Sequence, residues 1–325
     1  MDNALATWLL DDRPYTHLHT RLKHFILFCR TLQPELSYSR LKRLVGEHLE
    51  RLMSGEVGRL WARDRNVERV LRDYGVNDQR TDAWHAKRGE MITASEVYKV
   101  FGTDESRKEV LMRKLEPPPS ADASRPNPIP ALIWGTRFEA VAKKLYEERT
   151  NCTILDVSCV QHPRYAFLGA SPDGIIVPKA GGDPMRHGRL VEFKCPMSRA
   201  EKPEIPPAYV HQMQMQMECT GIDECEYVEF RFKQVNFNEW FKATGTKGRF
   251  GVYDDGRVVY DIENTPEDCQ IVYWTLTSIK EDFVRKDPEW LSSHIDQLQS
   301  FWDEVVRHRS SGTRPEEKKL PCLDL

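Results

Sequence analysis

Leu168-Gly-Ala-Ser-Pro-Asp-Gly-Ile-Ile-Val177, followed by Leu190-Val-Glu-Phe-Lys-Cys195, decides the fold. The two stretches read as one β-hairpin carrying Asp173, Glu192 and Lys194. In a strand, residues i and i+2 share a face, so Glu192 and Lys194 point one way while Phe193 points into the core. Asp173 falls at a Ser-Pro-Asp-Gly turn, punctuated by Pro and Gly. Charged side chains within an apolar run such as Leu190-Val191-Glu192-Phe193 need partners. Paired carboxylates repel one another, a cation relieves the repulsion, and hard oxygen ligands favour Mg²⁺ or Mn²⁺. A lysine two residues along can orient an attacking water or help to deprotonate it, and can neutralise charge in the transition state. The combination is suited to metal-assisted phosphodiester hydrolysis.

Three further segments stand around this pair. They are Trp84-His-Ala-Lys-Arg88 with Ile92-Thr-Ala-Ser-Glu96, then Trp134-Gly-Thr-Arg-Phe-Glu139, then Tyr209-Val-His-Gln212-Met-Gln214. Thr93 to Glu96 has the form of a capping box, opening a short helix that ends at Gly102. A helix N-terminus binds phosphate, and Arg88 offers a bidentate fork beside it. The bland reading leaves Thr93 and Ser95 as caps only. Phe138, Val141, Ala142, Leu145 and Tyr146 follow one buried helix face, with Glu139 beside it. Gly135 is expected to allow close backbone approach just before that helix. Lys143, Lys144 and Arg149 read as its solvated face. From Tyr209 to Gly221 a second helix is expected. Gln212 and Gln216 share one of its faces, and Met213 and Met217 share another as core filler.

The pattern resembles the PD-(D/E)XK nuclease superfamily, with Pro172-Asp173 and Glu192-Phe193-Lys194 as its two halves. The order of the five motifs is similar to the lambda-exonuclease or YqaJ-type branch, which includes viral alkaline exonucleases and phage recombinases. The resemblance runs from about Trp84 to Phe232. The interval between Asp173 and Glu192 is longer than usual for that family, and Pro178 to Gly188 reads as an extended hairpin loop. The resemblance implies a Mg²⁺ site, Mn²⁺ being able to substitute, formed by Asp173, Glu192 and the backbone carbonyl of Phe193. A second ion is implied between Glu139 and Asp173. Lys194 and Gln212 would position the water, and Arg88 and Ser95 would hold the 5′-phosphate end of DNA. The implied activity is 5′→3′ digestion of duplex DNA in recombination or replication of a virus or phage, beside a single-strand annealing protein. Two alternatives stay open: an endonuclease or ribonuclease of the same fold, and a non-catalytic DNA-binding protein on a nuclease core. Relatives include both rings of three and single chains, which leaves the oligomeric state open.

The expected class is α/β (α+β): a restriction-endonuclease-like core with a central mixed sheet flanked by helices, and an added N-terminal helical module. Residues 1–80 are expected to form that module, with Leu41, Val45, His48, Leu49 and Leu52 as a periodic face. Residues 81–310 form the nuclease domain and residues 311–325 a disordered tail. Strands are expected at 153–160, 166–177, 189–195 and 226–234, with a further one near Ile271 to Leu276. A hairpin is expected at Asp254-Asp-Gly256, and a final helix from Pro288 to about Arg309. The Pro-rich stretch from Pro117 to Pro130 is expected to be a mobile loop. A net charge of −3 gives no global nucleic-acid signal. Eight cysteines without a CxxC pair argue for neither a disulfide framework nor zinc. No apolar run reaches membrane-spanning length and no signal-peptide pattern is present. The expected setting is therefore a reducing intracellular compartment, the cytoplasm or nucleus of an infected cell if the source is viral.

Overall fold

The computed structural model describes residues 1–10, 18–74, 79–117, 130–200, 202–260, 262 and 268–315. Most of the Pro-rich stretch, and the tail beyond residue 315, lie outside the described residues. Eleven helices and ten strands follow one another among those described. Four helices come first: α1 (Asp2–Leu10), α2 (Leu18–Leu32), α3 (Tyr38–Met53) and α4 (Glu56–Tyr74). Next are α5 (Asp82–Gly89), β1 (Ile92–Thr93), α6 (Val97–Phe101), α7 (Asp104–Leu115) and α8 (Pro130–Thr150). The strands β2 (Cys152–Leu155), β3 (Val160–Gln161), β4 (Leu168–Ala170), β5 (Gly174–Pro178) and β6 (Leu190–Lys194) precede α9 (Pro207–Thr220). The chain continues with β7 (Glu224–Val235), α10 (Phe237–Lys242), β8 (Lys247–Val252), β9 (Val258–Val259), β10 (Gln270–Arg285) and α11 (Trp290–Ser311). None of the described helices is long and apolar enough to cross a membrane.

The strands form a seven-stranded sheet in the order β2-β5-β6-β7-β10-β8-β9 and a small sheet in the order β1-β4-β3. β6 and β7 run parallel, whereas every other neighbouring pair of the large sheet is antiparallel. A parallel pair cannot be joined by a tight turn and needs a crossover. Here the crossover is α9, which therefore lies across the sheet beside β6. Its Met213, Met215 and Met217 are fully buried in the core on that face, together with Tyr227, Leu298 and Phe301. The opposite face is covered by α8, whose Phe138 stacks on Phe232 with ring centroids 4.5 Å apart. The fold is thus a mixed sheet between helices, as the resemblance implies.

Four local expectations are corrected. The stretches 153–160 and 166–177 are each two strands, not one. Pro172 lacks an N–H to donate and separates β4 from β5, so the chain leaves the small sheet and enters the large one within three residues. Gly135 does not precede its helix but lies inside α8, and a side chain there would meet no atom within 4 Å. β10 does not end near Leu276. It runs to Arg285, paired along the whole of β7 through a bulge at Thr277. The long 178–188 interval is also more than an extended hairpin loop, since it holds a 3₁₀ turn at Pro184–Arg186. Arg63 of α4 donates to the Met185 carbonyl at 3.3 Å.

The N-terminal helices contain their own apolar cluster, including Leu5, Leu9, Phe25, Leu41, Val45, Val57 and Trp61. α4 belongs to two cores. Its Val57 and Trp61 face that cluster, while Val67 and Val70 lie in the core beneath α9. The Arg63 side chain is completely buried and pairs with Asp223 at 2.7 Å and Glu224 at 2.8 Å, just at the start of β7.

Candidate active site

The hairpin of β5 and β6 sets the centre of the site. Gly174 pairs with Val191 and Ile175 with Leu190, so Asp173 stands just before β5, level with Glu192. Gly174 is required there: a Cβ would collide with Ile154 Cγ2 and come within 2.8 Å of the Leu155 carbonyl oxygen. The close approach of β2 thus fixes the position of Asp173. Its Oδ2 accepts the Phe193 backbone N–H at 2.7 Å.

Glu192 is 1 % exposed, in an apolar strand, and both its carboxylate oxygens are satisfied. Oε1 accepts from the Lys194 ammonium and from Gln212 Nε2 at 2.6 Å. Oε2 accepts from Gln216 Nε2 at 2.6 Å. The two glutamines are one turn apart on α9, so the crossover helix itself clamps the buried carboxylate. Lys194 also lies over the Tyr209 ring, 4.6 Å from its centroid. Burial opposes its charge, but the Glu192 and Asp173 carboxylates outweigh burial and raise its pKa above the usual lysine value. Lys194 is therefore held as a cation by the carboxylates beside it.

Glu139, on α8, points to the same place and is ion-paired with Arg80 at 3.0 Å. Burial raises its carboxyl pKa, Arg80 opposes the rise and Glu192 adds to it. Asp173 is raised well above the ordinary carboxylate value, first by burial and then by Glu192 and Glu139. Asp173 and Glu139, whose ionisation is disfavoured, stand with Glu192 as a hard-oxygen donor set whose chemistry fits a divalent cation. As placed, however, Glu192 is fully engaged by Lys194, Gln212 and Gln216. Among the described residues, no three acidic, histidine or cysteine side chains converge as a ready-made metal cluster. Cys195 beside them offers no nucleophile, because burial and the neighbouring carboxylates push its thiol pKa up.

A cleft of about 550 Å³ opens onto these groups and is lined by Ser95, Glu139, Phe193, Lys194, Tyr209 and Gln212 among others. Ser95 also lines an adjoining cavity of about 300 Å³, with Trp84, Arg88, Lys99, Arg113 and Lys114. Arg88 stacks on Trp84, its guanidinium carbon 4.3 Å from the ring centroid. It donates to Ser95 Oγ at 3.3 Å, Thr93 Oγ1 at 3.4 Å and Ser171 Oγ at 3.4 Å. Ser171 also accepts the Trp84 indole N–H at 3.0 Å and is two residues from Asp173. The eight residues singled out from sequence thus fall in two adjoining hollows, with Arg88 and Ser95 in one and the other six in or beneath the second.

The capping-box reading of Thr93 to Glu96 needs correction. Glu96 does reach back to the Thr93 N–H at 2.8 Å, but the Thr93 hydroxyl donates to the same carboxylate at 2.7 Å and caps nothing. The helix that follows has only five residues and no side-chain N-cap, and Gly102 does not take the left-handed conformation. The helix terminus therefore offers little to an anion. The positive character of the cavity comes from Arg88, Arg113 and Lys114 instead. Arg113 and Lys114 are held by Glu96 at 3.2 and 2.9 Å. They arrive from α7, and no local pattern ties them to Arg88. Gln216, Ser171 and Trp84 did leave signals: Gln216 and Trp84 lie four residues from Gln212 and Arg88, and Ser171 lies within the Ser-Pro-Asp-Gly turn.

Residues 83–223 match the model of the YqaJ-like viral recombinase domain. The resemblance read from the motifs is thus found again over nearly the same span. An uncharacterized protein, R354, of Acanthamoeba polyphaga mimivirus is 23% identical in an alignment that takes in 74% of this chain and 54% of that protein. The chain spans about half the length of this curated relative. An alkaline exonuclease from Laribacter hongkongensis aligns over 71% of this chain and 95% of its own, with 22% identity and a TM-score of 0.46. A phage-related exonuclease from Haemophilus somnus aligns over 69% of this chain and 96% of its own, with 13% identity and a TM-score of 0.43.

Proposed function

We propose that this protein is a divalent-metal-dependent deoxyribonuclease that digests duplex DNA from its ends in the 5′→3′ direction. One observation carries the reading: Asp173, Glu192 and Lys194 meet on one hairpin, beside Gln212, in a cleft that adjoins a cationic cavity built around Arg88. The match to a viral recombinase domain supports DNA as the substrate and a role in recombination or replication, and the resemblance to a mimivirus protein supports a viral setting.

Asp173, Glu192, Glu139 and the Phe193 carbonyl would hold Mg²⁺ or Mn²⁺, two ions in all. Such an ion supplies charge stabilisation at the scissile phosphate and lowers the pKa of the attacking water. The chain's own groups do the rest. Lys194, kept protonated by the carboxylates around it, offsets negative charge that grows on the phosphoryl oxygens. Gln212 presents an amide at the cleft wall and holds Glu192 in register. Gln216 fixes the other oxygen of Glu192 from below. Arg88 and Ser95 line the adjoining cavity, with Ser171 holding the Arg88 guanidinium, and a doubly charged terminal phosphate is the natural guest there for a guanidinium fork. A terminal group seated there would place a nearby phosphodiester in the cleft, which favours attack close to the 5′ end.

The test is digestion of end-labelled linear DNA and covalently closed circular DNA with Mg²⁺, with Mn²⁺ and with EDTA. The proposal expects release of short products from the 5′ end of the linear substrate only, and none in EDTA. Equal attack on the closed circle, or metal-independent cleavage, would refute it.

A further inference from the structure

One face of the sheet leads away from the cleft. On β7, Glu229, Arg231, Lys233 and Val235 share that face, because alternate residues of a strand do. Their partners on β10 are Lys280, Ser278, Thr275 and Tyr273. At the cleft end, Arg199 lines the cleft, lies over the Tyr209 ring and donates to the Tyr209 hydroxyl at 2.9 Å. Glu229 pairs with both Arg199 and Arg231, so the two guanidinium groups are bound into a single unit. Lys233 follows, exposed. From Glu229 to Val235 this row covers about 20 Å at roughly 3.3 Å per residue.

The far end of the row is aromatic. Asn236 and Glu239 form a capping box that starts α10 immediately after β7. Phe237 contacts Tyr273 at 5.5 Å between centroids, Trp240 contacts Tyr273 at 5.2 Å, and Phe237 and Phe241 are 6.1 Å apart. Phe237 is 51 % and Phe241 71 % exposed, with Lys242 exposed beside them. Lys247 secures the turn by donating to the Trp240, Phe241 and Ala243 carbonyls. A well-anchored helix thus keeps two large rings in water. With Tyr273 and Trp240 beneath them the rings form one contiguous aromatic patch, the kind of surface that marks an interaction site.

We propose that this face is a track for a single polynucleotide strand. The phosphate backbone lies along Arg199, Arg231 and Lys233, and unpaired bases stack on Phe237 and Phe241. Two features select this occupant. A row of cations ends in accessible aromatic rings, the combination that binds single strands without regard to sequence. The row is also continuous with the cleft through Arg199, so a strand separated there meets it directly. The inference rests on the nuclease reading for the source of that strand, but not for its binding chemistry. A second protein, or a second copy of this chain, is the competing occupant.

The test uses the full-length protein in EDTA, so that no cleavage occurs. Binding of a fluorescently labelled 15-nucleotide oligo-dT and of a blunt 12-base-pair duplex is followed by anisotropy. Phe237→Ala/Phe241→Ala should weaken oligo-dT binding by about tenfold or more, the loss of at least one stacked base, and leave duplex binding near the wild-type value. Lys233→Gln/Lys242→Gln should reduce the salt slope of oligo-dT binding, by roughly 0.7 for each phosphate that is no longer neutralised. Melting curves matching the wild type establish that the variants fold. Wild-type protein that does not bind oligo-dT, or binding unchanged in both variants, overturns the track. A changed sedimentation coefficient with unchanged oligo-dT affinity overturns it in favour of a protein contact. Cleavage in Mg²⁺ is scored separately, so absence of nuclease activity would sink the nuclease reading while leaving the binding result intact.

Discussion

At the scale of single residues, Asp173 and Glu192 differ in a way that mutation should reveal. Asp173→Ala and Glu192→Ala are each expected to abolish cleavage, measured on labelled linear duplex, because each removes one of the oxygen donors. Their effects on folding should diverge. Asp173 carries a carboxyl disfavoured by burial and by two neighbouring carboxylates, so its removal relieves repulsion. Glu192 is the acceptor for one ammonium and two amides, so its removal strands the buried Gln216 donor and the half-buried donors of Lys194 and Gln212. Melting temperature should hold or rise for Asp173→Ala and fall for Glu192→Ala. Lys194→Ala should retain the fold and lose about 10²-fold or more in rate, the scale of one transition-state donor. Equal melting temperatures for the two carboxylate variants would refute this division of roles.

His162 offers a test of linkage away from the site. It is 7 % exposed, and its Nδ1 accepts the backbone N–H groups of Arg164 and Tyr165 at 3.1 and 3.0 Å. Burial, with smaller contributions from Lys286 and Arg164, lowers its pKa from 6.5 to about 4. The unfolded chain therefore takes up a proton at a higher pH than the folded one. The contribution of His162 to stability is fully present above pH 6.5 and is lost as pH falls from there towards 4, by up to about 3 kcal/mol. His162→Asn keeps an acceptor in the same turn but does not titrate in this range. The fall in melting temperature between pH 7 and pH 4.5 should be visibly smaller in that variant, and an identical slope would exclude His162 as the cause.

At the scale of elements, the hairpin was legible and the small sheet was not. The triplet Glu192-Phe193-Lys194 sits in an apolar run, and Ser-Pro-Asp-Gly marks the turn into its partner. Both signals are local, and both are realised in the β5–β6 register. The division between β4 and β5 depends on β1, some 75 residues earlier, which no local pattern announces. The second half of β10 was missed for a related reason. Its Lys280-Glu-Asp282 segment lacks apolar alternation, and its strand form comes from pairing with β7. The site divides in the same way. Gln212 and its neighbour Gln216 were visible at helical spacing, whereas Arg113 and Lys114 come to Arg88 only in the tertiary fold, both through Glu96 and Lys114 also by donating to the Arg88 carbonyl at 2.9 Å. Arg88 itself gives the prediction for this scale. Loss of a charge-assisted fork costs about 1.5–3 kcal/mol, which is roughly ten- to hundred-fold. Wild-type protein should degrade 5′-phosphorylated duplex faster than 5′-hydroxyl duplex in single-turnover digestion. Arg88→Ala should lose most of that preference while slowing less on the hydroxyl substrate. Equal rates on both ends in the wild-type protein would remove the terminal-phosphate role.

At the scale of the whole molecule, the question is whether a cut at residue 80 separates two folding units. Composition suggests that it does, since the first 80 residues are helical in pattern and lie outside the family-like span. Helix α4 argues otherwise. Its Val67 and Val70 are buried in the core beneath α9, and Gly188 of the hairpin loop packs on Val67 and Arg63. Arg63, its side chain without solvent exposure, neutralises Asp223 and Glu224 at the start of β7, and Arg189 joins it on Glu224 at 2.7 Å. Removing one partner of such a buried pair costs about 3–5 kcal/mol, a large part of a typical domain's stability of roughly 5–15 kcal/mol. A chain beginning at residue 81 would lack Arg63 together with the two valines, leaving Glu224 without its buried cation against the strand next to Glu192. That fragment should be insoluble or lack a cooperative thermal transition. Arg63→Leu in the full chain should fold but melt at a lower temperature, because Asp223 and Glu224 keep Arg59 but lose their buried guanidinium, while an apolar side chain remains against Gly188. A fragment from residue 81 that melts cooperatively near the full-length temperature would establish the 81–310 segment as independent, and would reduce α4 to an accessory helix.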